Sequence, residues 1–386
     1  MKKAILIALI IVNSITMMAL TFYLMKLPWL ASDEKFLIWS TTALNFSNRD
    51  QPDSEEFALI NTSYDLQLID RYDEFGFPVG NQAITDRQKL TQLLQAINSG
   101  EEKPKYIIID IHFVDSTSSD DQLVQELRKL ENVILSAHIN DEGELEKPIF
   151  EDINFGISDY LIGSAFDGVY KYQLVYNDTL KLLPLKVHEA ISGKQSEKLG
   201  PFVKVDSEWT MNNFIMNYRV IQKDIYDLEA GFNPISMGEL LYLTDEDIQK
   251  FTADKIVVIG DFFENDMHET VLEITAGPLI LLNALMTIQQ GDTIVNIWFF
   301  LLIITAYALL SYLVFVEGDM IENYIKKLPG KKLTKYLAGF ASYFIMLTIL
   351  SLMTYWMFNI HLNVFFIAIA FYLMDRFAGL ILYKST

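Results

Sequence analysis

Five side chains in the middle of the chain have the types and spacing of a ligand-binding site. They are Asp110, His112, Asp261, Asp266 and His268. Asp110 and His112 are two positions apart in one apolar run, so on a single strand they would leave the same face of a sheet. Asp261 ends a second apolar run, and Asp266 and His268 follow in the next loop. If the two runs are neighbouring strands, we expect these side chains to converge at the carboxyl end of a sheet, where open α/β sheets bind ligands.

Such a mixture of carboxylates and imidazoles suits zinc, manganese or iron, which makes Asp266 and His268 weak candidates for metal ligands. The alternative is that acidic residues at strand ends cap loops and helix N-termini. We expect this second interpretation to hold, so the sequence predicts neither a metal nor another cofactor.

Familiar catalytic motifs are missing from the sequence. The run GDFFEND has no GxGxxG pattern, no GxxxxGK[ST] phosphate loop occurs, and His188–Glu189 lacks the second histidine of HExxH. The chain has no cysteine, which excludes a thiol nucleophile. Ser136 and Ser158 stand in no recognisable motif. We therefore predict that the protein is not an enzyme.

Alternating strands and helices must position the five side chains. Unbroken apolar runs of strand length predict buried strands at 105–113 (KYIIIDIHF), 132–139 (NVILSAHI) and 255–263 (KIVVIGDFF). Apolar residues at helical spacing predict helices at 85–100, 119–130 and 278–291. Thr85 and Gln88 form a capping-box pair at the first of them, and Ser236 and Glu239 form another at a later short helix. The pattern predicts an α/β domain with a mostly parallel sheet and flanking helices.

Four apolar runs flank this domain, each about 22 residues and so roughly 33 Å long as a helix, enough to cross a bilayer. They cover 4–25, 294–316, 336–358 and 362–383. Lysines precede the first run and crowd the loop 317–335, which predicts both termini in the cytoplasm and residues 30–293 outside it. We divide the chain into an anchor (1–29), an extracytoplasmic domain (30–293) and a three-helix membrane region (294–386). A cleaved signal peptide is the alternative for the first run, but the run is longer than usual and has no clear cleavage site.

Charge is distributed as unevenly as hydrophobicity. The central domain has about 46 acidic and 20 basic residues, whereas the chain as a whole has 50 and 30. So acidic a surface repels phosphate backbones, which argues against nucleic acid as a partner. The apolar runs instead predict contact with a lipid bilayer.

The last apolar run contains two charges, Asp375 and Arg376. A charge at the centre of a membrane helix costs roughly 2.5–3.5 kcal/mol, so each needs a partner or a route to water. Arg376 can extend towards the cytoplasmic surface. Asp375 can hydrogen-bond an Asn or Tyr of a neighbouring helix, or pair with a basic residue of a partner protein. The sequence therefore predicts partner contact within the membrane at these two positions.

The order of these motifs resembles the CHASE2 domain, an extracytoplasmic input module of bacterial receptors that is usually followed by three membrane helices. The motifs are FALINTSYD (57–65), the helix of Arg87, KYIIIDIHF, Asp120–Asp121, the turn 167–169, ISMGELL, KIVVIGD with Asp266 and His268, and GPLILLNA (277–284). The resemblance implies a sensory function. Members usually continue into a kinase or nucleotide cyclase, and we expect no such output domain here.

Two functions follow as expectations. In the first, the protein is a sensory receptor of the bacterial inner membrane that detects an unknown ligand and signals to a separate inner-membrane or periplasmic protein. In the second, it is a structural or scaffolding subunit of a cell-envelope complex. Both permit oligomers. A transporter is less consistent with the sequence, which shows no inverted repeat.

Overall fold

The computed structural model describes residues 2–26, 35–45, 49–73, 75–140, 142–162, 169–316 and 332–382. The predicted turn at Asp167 and Gly168 and most of the basic loop 317–335 lie outside the described residues. The α-helices are α1 (Lys2–Lys26), α2 (Lys35–Asn45), α3 (Arg87–Ser99), α4 (Asp120–Leu127), α5 (Leu183–Ser192), α6 (Met237–Leu240), α7 (Asp245–Thr252), α8 (Gly277–Gln289), α9 (Ile297–Phe315), α10 (Lys332–Phe358) and α11 (Val364–Leu382). Two short 3₁₀ helices cover Ser54–Glu56 and Gln222–Ile225.

The strands are mostly short. They are β1 (Phe57–Asn61), β2 (Leu66–Tyr72), β3 (Pro78–Thr85), β4 (Tyr106–Asp110), β5 (Val133–Ile139), β6 (Leu145–Glu146), β7 (Phe155–Ile157), β8 (Leu161–Ile162), β9 (Val169–Gln173), β10 (Val175–Tyr176), β11 (Leu180–Lys181), β12 (Glu197–Leu199), β13 (Phe202–Val205), β14 (Glu208–Met211), β15 (Asn213–Ile215), β16 (Ile235–Ser236), β17 (Ile256–Gly260), β18 (Met267–Glu269) and β19 (Ile274–Ala276).

A parallel sheet forms the centre of the domain. Its strand order is β16-β1-β17-β4-β5, with β7 also beside β5 and the short β6 antiparallel at the edge. The register pairs Asn61 with Gly260 and Gly260 with Asp110, so three strands end level with one another. The apolar runs therefore form parallel strands as predicted, and the strands before Asp110 and Asp261 are neighbours.

Helices cover both faces of this sheet, which explains why its strands are mostly apolar. One face packs against α3, α4, α6 and α7, and the other against α5 and α8. Helix α8 is the most deeply enclosed, since every residue from Gly277 to Thr287 is buried. A helix that is apolar all round belongs inside a structure, and α8 occupies that place here.

Both predicted capping boxes differ from the observed helix starts. Helix α3 begins one residue later than the pattern predicts, because the Asp86 carboxylate accepts hydrogen bonds from the N–H groups of Gln88 and Lys89 at 3.0 Å each. A carboxylate is a strong acceptor at the positive end of a helix, so Asp86 caps α3 and Thr85 ends strand β3. Ser236 precedes α6 but donates its hydroxyl to Asp65 Oδ2 at 3.0 Å, and its side chain makes no cap.

A hairpin of β2 and β3 stands apart from the main sheet, since these two strands pair with each other and with no other described strand. Large apolar side chains along it are exposed to solvent. They include Leu68, Tyr72, Phe75, Phe77 and Val79. A two-stranded ribbon buries little surface by itself, so these side chains form an apolar patch on the outside of the domain.

Three of the described helices are long and apolar enough to cross a membrane: Lys3–Lys26, Ile297–Phe315 and Leu337–Phe358. The fourth predicted run forms α11, which contains Asp375 and Arg376. The four helices α1, α9, α10 and α11 share one apolar core. Polar side chains also join them, with Thr21 Oγ1 lying 2.6 Å from Tyr307 Oη and Asn13 donating to Ser311 Oγ at 2.8 Å.

The α/β domain rests directly on one end of this helical bundle. The Asn213 amide donates to the carbonyl of Met25 at the end of α1, at 3.2 Å. The ring of Phe202 on β13 lies 5.2 Å from Phe22 and 5.7 Å from Phe300 between ring centres. Contacts from several strands to α1 and α9 therefore attach the domain to the bundle.

Candidate functional site

A cavity of about 390 Å³ lies at the carboxyl end of the parallel sheet. Its acids and imidazoles come from four segments of chain: β4, β5, the segment after β7, and the segment after β17. They are Asp110, His138, Asp159, Asp266 and His268, and Ser158, Tyr160, Gln173 and Tyr176 add uncharged polar groups. Of the five residues that the sequence predicted, the structure brings Asp110, Asp266 and His268 together here.

Asp110 is the last residue of β4, and one of its oxygens has no partner among the residues that the structure describes. Ser136 on the adjacent strand donates its hydroxyl to Asp110 Oδ1 at 2.5 Å. The second oxygen, Oδ2, is buried, and no donor reaches it within the part of the chain that the structure describes. Burial, together with the nearby charge of Asp266, raises the pKa of Asp110 to about 7.

Asp266 connects the cavity to α8. Its Oδ1 lies 2.7 Å from His268 Nε2, and its carbonyl accepts a hydrogen bond from the N–H of Gly277 at 2.8 Å. The carboxylate packs against Gly277 itself, the first residue of α8, so a negative charge sits at the positive end of the helix dipole. The ring of His268 meets Tyr160 edge to face, with 4.9 Å between ring centres.

His138 and Asp159 form a second Asp–His pair in the same cavity, which the sequence analysis missed. His138 Nδ1 lies 2.9 Å from Asp159 Oδ1, and Asp159 Oδ2 accepts the N–H of Ile139 at 2.5 Å. Burial opposes the charged imidazole, but the hydrogen bond and charge of Asp159 outweigh it and raise the pKa of His138. The two residues meet because β7 pairs with β5 through Leu135 and Phe155, a pairing without a sequence signal of its own.

Ser158, His138 and Asp159 are arranged in space like the Ser–His–Asp triad of a hydrolase, but the distance from serine to histidine is long. Ser158 Oγ lies 3.5 Å from His138 Nε2 and 3.4 Å from the carbonyl oxygen of Ala137. A nucleophilic serine normally stands within about 3.2 Å of its base, although structures without substrate can be looser. Ser158 is also buried, with 3% of its surface exposed.

His112 does not line the cavity. Strand β4 ends at Asp110, so the alternation that would place both residues on one face no longer applies. His112 Nε2 instead lies 3.1 Å from Glu146 Oε2, and its ring meets His138 at 4.5 Å between centres. Burial and the adjacent His138 lower the pKa of His112.

Asp261 shapes the loop after β17 and does not line the cavity. It accepts hydrogen bonds from the Ser63 hydroxyl and from three backbone N–H groups, those of residues 263, 264 and 265, at 2.8 to 3.0 Å for the backbone groups. Burial disfavours its charge, but these donors outweigh burial and lower the pKa of Asp261. Asp261 therefore has the loop-capping geometry that the sequence analysis offered as the alternative to ligand binding.

The acidic and histidine side chains of the cavity do not form a metal-binding site among the described residues. Among the described residues, no group of three or more His, Asp or Glu side chains is placed to hold a metal ion. The acids and imidazoles of the cavity form hydrogen-bonded pairs, so the predicted convergence of five donors does not occur. Asp266 and His268 are joined to each other, as one of these pairs.

Helix α8 leads from the cavity towards the bundle of α1, α9, α10 and α11. Its buried Asn283 accepts the N–H of Arg219 at 2.7 Å and donates to the carbonyl of Val220 at 2.7 Å. Arg219 in turn forms an ion pair of 2.6 Å with Asp292, just beyond the helix. A short segment then reaches Asn296, which caps the start of α9. The helix is therefore held along its length between the cavity and the bundle.

The two charges of α11 both lie beside tyrosines. Asp375 is next to the hydroxyl of Tyr343 on α10. Arg376 Nε donates to the hydroxyl of Tyr372 at 3.2 Å, and its guanidinium lies over the same ring at 5.2 Å. Of the neighbours that the sequence analysis considered for Asp375, the structure provides a tyrosine of an adjacent helix.

The comparison with protein families agrees with the resemblance found in the sequence. The CHASE2 domain family matches residues 10–350. No curated protein and no solved structure gives a match. The family match covers most of the chain and includes the whole α/β domain with its cavity. The chain therefore belongs to the CHASE2 family, whose defining module is an extracytoplasmic sensory domain.

Proposed function

We propose that this protein is a membrane receptor in which the cavity at the carboxyl end of the sheet receives a small ligand. One observation carries this proposal: the Asp266 carboxylate lines the cavity and also packs against the first residue of α8. A ligand that moves or neutralises Asp266 changes the charge at the start of a helix whose other end leads into α9. Ligand occupancy is thereby coupled to the position of the membrane helices.

In this proposal all four helices α1, α9, α10 and α11 span the inner membrane of a bacterium. The domain lies outside the cytoplasm, and both termini lie inside. Two features support this arrangement. The lysines next to the first run and in the loop 317–335 follow the positive-inside rule. Trp298 and Trp356, at the domain end of the bundle, are 67% and 88% exposed, which suits the headgroup region of the outer leaflet.

The output of the receptor passes to a separate membrane protein, and the domain itself is not an enzyme. The Ser158–His138 separation of 3.5 Å supports this view, because a nucleophilic serine normally stands closer to its base. A change in how the four helices pack, between two arrangements, is sufficient to pass the signal on. A neighbouring protein packed against α9 or α11 would respond to that change.

The coupling can be measured without knowing the ligand, because the chain contains no cysteine. Ser14 on α1 and Ser311 on α9 face each other with 3.4 Å between their hydroxyl oxygens. In full-length protein in membranes, Ser14→Cys with Ser311→Cys gives a disulfide whose rate of formation reports the packing of α1 on α9. We expect Asp266→Ala to change this rate.

Glu264→Gln is the matched control, because Glu264 lies in the same loop, is exposed, and does not line the cavity. It should leave the rate of disulfide formation unchanged. Equal rates in the Asp266→Ala, Glu264→Gln and unmodified backgrounds, with the melting temperature of each preserved, would contradict coupling through α8.

A scaffolding subunit is the second candidate, and the hairpin of β2 and β3 favours it. Its exposed side chains, among them Phe75 at 83% and Phe77 at 67%, form an apolar patch suited to a protein partner. Phe75→Ser with Phe77→Ser should then release a co-purifying protein and leave the Ser14–Ser311 disulfide rate unchanged. A receptor without a scaffolding function would retain its partner in this variant.

A further inference from the structure

A second cavity, of about 570 Å³, lies where the α/β domain meets one end of the helical bundle. Most of its walls come from α2, the segment 217–219 after β15, the segment between α8 and α9, and the end of α10. It shares no lining residue with the cavity at the carboxyl end of the sheet. Helices α9 and α10 are both long and apolar enough to cross a membrane, and the cavity lies at the start of α9 and the end of α10. Its level along these helices is therefore that of a membrane surface.

The charged side chains of this cavity all belong to the domain. They are Arg49, Asp50, Arg219 and Asp292. Arg219 Nη2 forms an ion pair of 2.6 Å with Asp292, and Arg219 Nη1 donates to the carbonyl of Asp50 at 3.3 Å. A guanidinium has two N–H groups on each terminal nitrogen, so both terminal nitrogens of Arg219 retain a second donor. Arg49, paired with Asp224 at 2.5 Å, adds a second positive charge to the lining.

Asp50 supplies a charge of the opposite sign. Its side chain is exposed, and its carboxylate has no ion pair or hydrogen bond within the part of the chain that the structure describes. Arg49 precedes it in the chain and Arg219 contacts its backbone, so the segment of Asp50 lies beside both arginines. A ligand with one positive and one negative group would therefore find a partner for each.

The bundle side of the cavity is aromatic and apolar. Tyr355, Trp356, Met357 and Phe358 at the end of α10 line it. Trp356 is 88% exposed and Met357 is 55% exposed. Large exposed side chains at the end of a membrane-length helix are typical of the boundary between headgroups and acyl chains.

Helix α2 extends this apolar surface. Its Phe36, Trp39 and Leu44 are 73%, 53% and 76% exposed. Thr41 Oγ1 lies 3.0 Å from Nε2 of His361, just beyond α10, and this contact holds α2 beside the end of α10. A short helix with exposed aromatic side chains at this level suits the membrane interface. The cavity therefore lies between charged groups of the domain and an apolar surface suited to lipid.

We propose that this cavity binds the headgroup of a zwitterionic phospholipid. The phosphate lies beside Arg219 and Arg49, the ammonium group lies at Asp50, and the acyl chains lie against α10 and α2. The inference goes beyond the proposed receptor function, because it concerns a different cavity and requires only that α9 and α10 cross a membrane.

Other ligands of similar chemistry fit the cavity less well. The headgroup of an anionic phospholipid such as phosphatidylglycerol has no cation for Asp50, and its net negative charge is repelled by the strongly acidic domain. A soluble zwitterion would satisfy the charges but would leave the apolar side of the cavity uncovered. A zwitterionic phospholipid satisfies both sides.

Native mass spectrometry of the full-length protein in detergent measures which lipid is retained. Phosphatidylethanolamine and phosphatidylglycerol with the same acyl chains are added together in equal amounts. We expect one phosphatidylethanolamine molecule per chain to be retained in preference to phosphatidylglycerol. Glycerophosphoethanolamine, which has the same headgroup without acyl chains, should not displace it at equal concentration.

Two substitutions at Asp50 test the charge pairing. Asp50→Asn removes an exposed ion pair, so the preference for phosphatidylethanolamine should fall about two- to fivefold. Asp50→Lys should reverse the preference, because the added cation favours the lipid with a net negative charge. Glu56→Gln is the matched control, since Glu56 is an exposed carboxylate further along the same segment that does not line the cavity, and it should leave the preference unchanged. The melting temperature of each variant shows that it is folded.

The same preference in Asp50→Asn, Asp50→Lys and the unmodified protein would overturn the proposal, because lipids bound elsewhere on the bundle would not respond to Asp50. So would a preference of the unmodified protein for phosphatidylglycerol, or the absence of any retained lipid. Displacement of the lipid by an equal concentration of glycerophosphoethanolamine would show that a soluble zwitterion is sufficient, and would also overturn it. The disulfide test of α8 coupling concerns the other cavity, so the failure of this proposal and the failure of the receptor function are distinguishable.

Discussion

The carboxylate of Asp266 occupies the space that a side chain on Gly277 would need. A Cβ atom built on Gly277 would stand 2.6 Å from Asp266 Cγ, closer than real Cβ contacts. The absence of a side chain at Gly277 therefore allows the acid to approach the first turn of α8. The contact between cavity and helix depends on this one glycine.

Gly277→Ala should accordingly force the carboxylate away from α8. We expect a loss of about 1–3 kcal/mol in the free energy of unfolding, measured by denaturant titration, because an added methyl group in a packed site causes strain. In an Asp266→Ala background the same substitution should cost less, since the clashing group is gone. Equal costs in the two backgrounds would show that the strain comes from somewhere else.

Asp110 should make the stability of the domain depend on pH. Its pKa is raised to about 7 in the folded protein, where it faces Ser136, His138, Asp266 and His268. An unfolded chain ionises this group near its ordinary value of 3.8, so the contribution of Asp110 to stability falls as pH rises from about 4 to about 7. Asp110→Asn lacks this titration, and its melting temperature relative to the unmodified protein should increase between pH 5 and pH 8.

His138 acts in the same direction over a different pH range. Its pKa is raised above 6.5, so its pair with Asp159 stabilises the fold below that pH and loses its effect as pH rises through the folded pKa. The Asp110→Asn protein should therefore keep a decline in stability above pH 6.5. A constant difference in melting temperature between Asp110→Asn and the unmodified protein from pH 5 to pH 8 would contradict the raised pKa of Asp110.

Asn283→Ala should weaken the attachment of α8. The Asn283 side chain satisfies the buried N–H groups of Arg219 and Val220 and the carbonyl of Val220. Leaving such groups without partners costs about 1–3 kcal/mol each at most sites, so we expect a loss of at least about 1 kcal/mol by denaturant titration. Gln289→Ala, an exposed position on the same helix, is the control and should change stability little.

Ser158 should not react as a catalytic serine. Its hydroxyl lies 3.5 Å from His138 and it is buried, so we expect a fluorophosphonate probe to leave the protein unlabelled at pH 8 by mass spectrometry. Labelling that is lost in both Ser158→Ala and His138→Gln would establish a hydrolase centre and contradict the prediction that the protein is not an enzyme.

Tyr343 and Asp375 should be energetically coupled within the bundle. If each contributes mainly through the other, Tyr343→Phe and Asp375→Ala together should cost less than the sum of the single variants. Membrane hydrogen bonds of this kind average about 0.6 kcal/mol, measured here by unfolding in detergent. Strict additivity, together with loss of a co-purifying protein in Asp375→Ala alone, would assign Asp375 to an external partner.

Much of the sheet could be predicted from the sequence because its strands are covered on both faces. Residues 106–109 and 256–259 are apolar without a break, and a central parallel strand covered on both faces accounts for that pattern. The strand ends were predicted less well. Strand β4 stops at Asp110 and not at Phe113, and His112, beyond its end, pairs with Glu146 and does not line the cavity.

The His138–Asp159 pair could not be found in the same way, because its two members meet only when β7 lies beside β5. Strand β7 is three residues long, too short to give a periodic signal. Asp261 illustrates the opposite difficulty. Its position after a buried strand is the same as that of a ligand-binding acid, and only the N–H groups that surround it reveal that it organises the loop.

Because α8 is enclosed and the cavity walls are not, substitutions in the two places have different consequences for the fold. The walls of the cavity at Tyr160, Gln173 and Tyr176 lie on short strands and loops, where substitutions alter what is recognised at little cost to the fold. From Gly277 to Thr287 helix α8 is packed on every side, so a substitution there disturbs its neighbours. Under the proposed function, exchanging the wall segments between relatives should therefore change which ligand is bound and leave the packing of α8 unchanged.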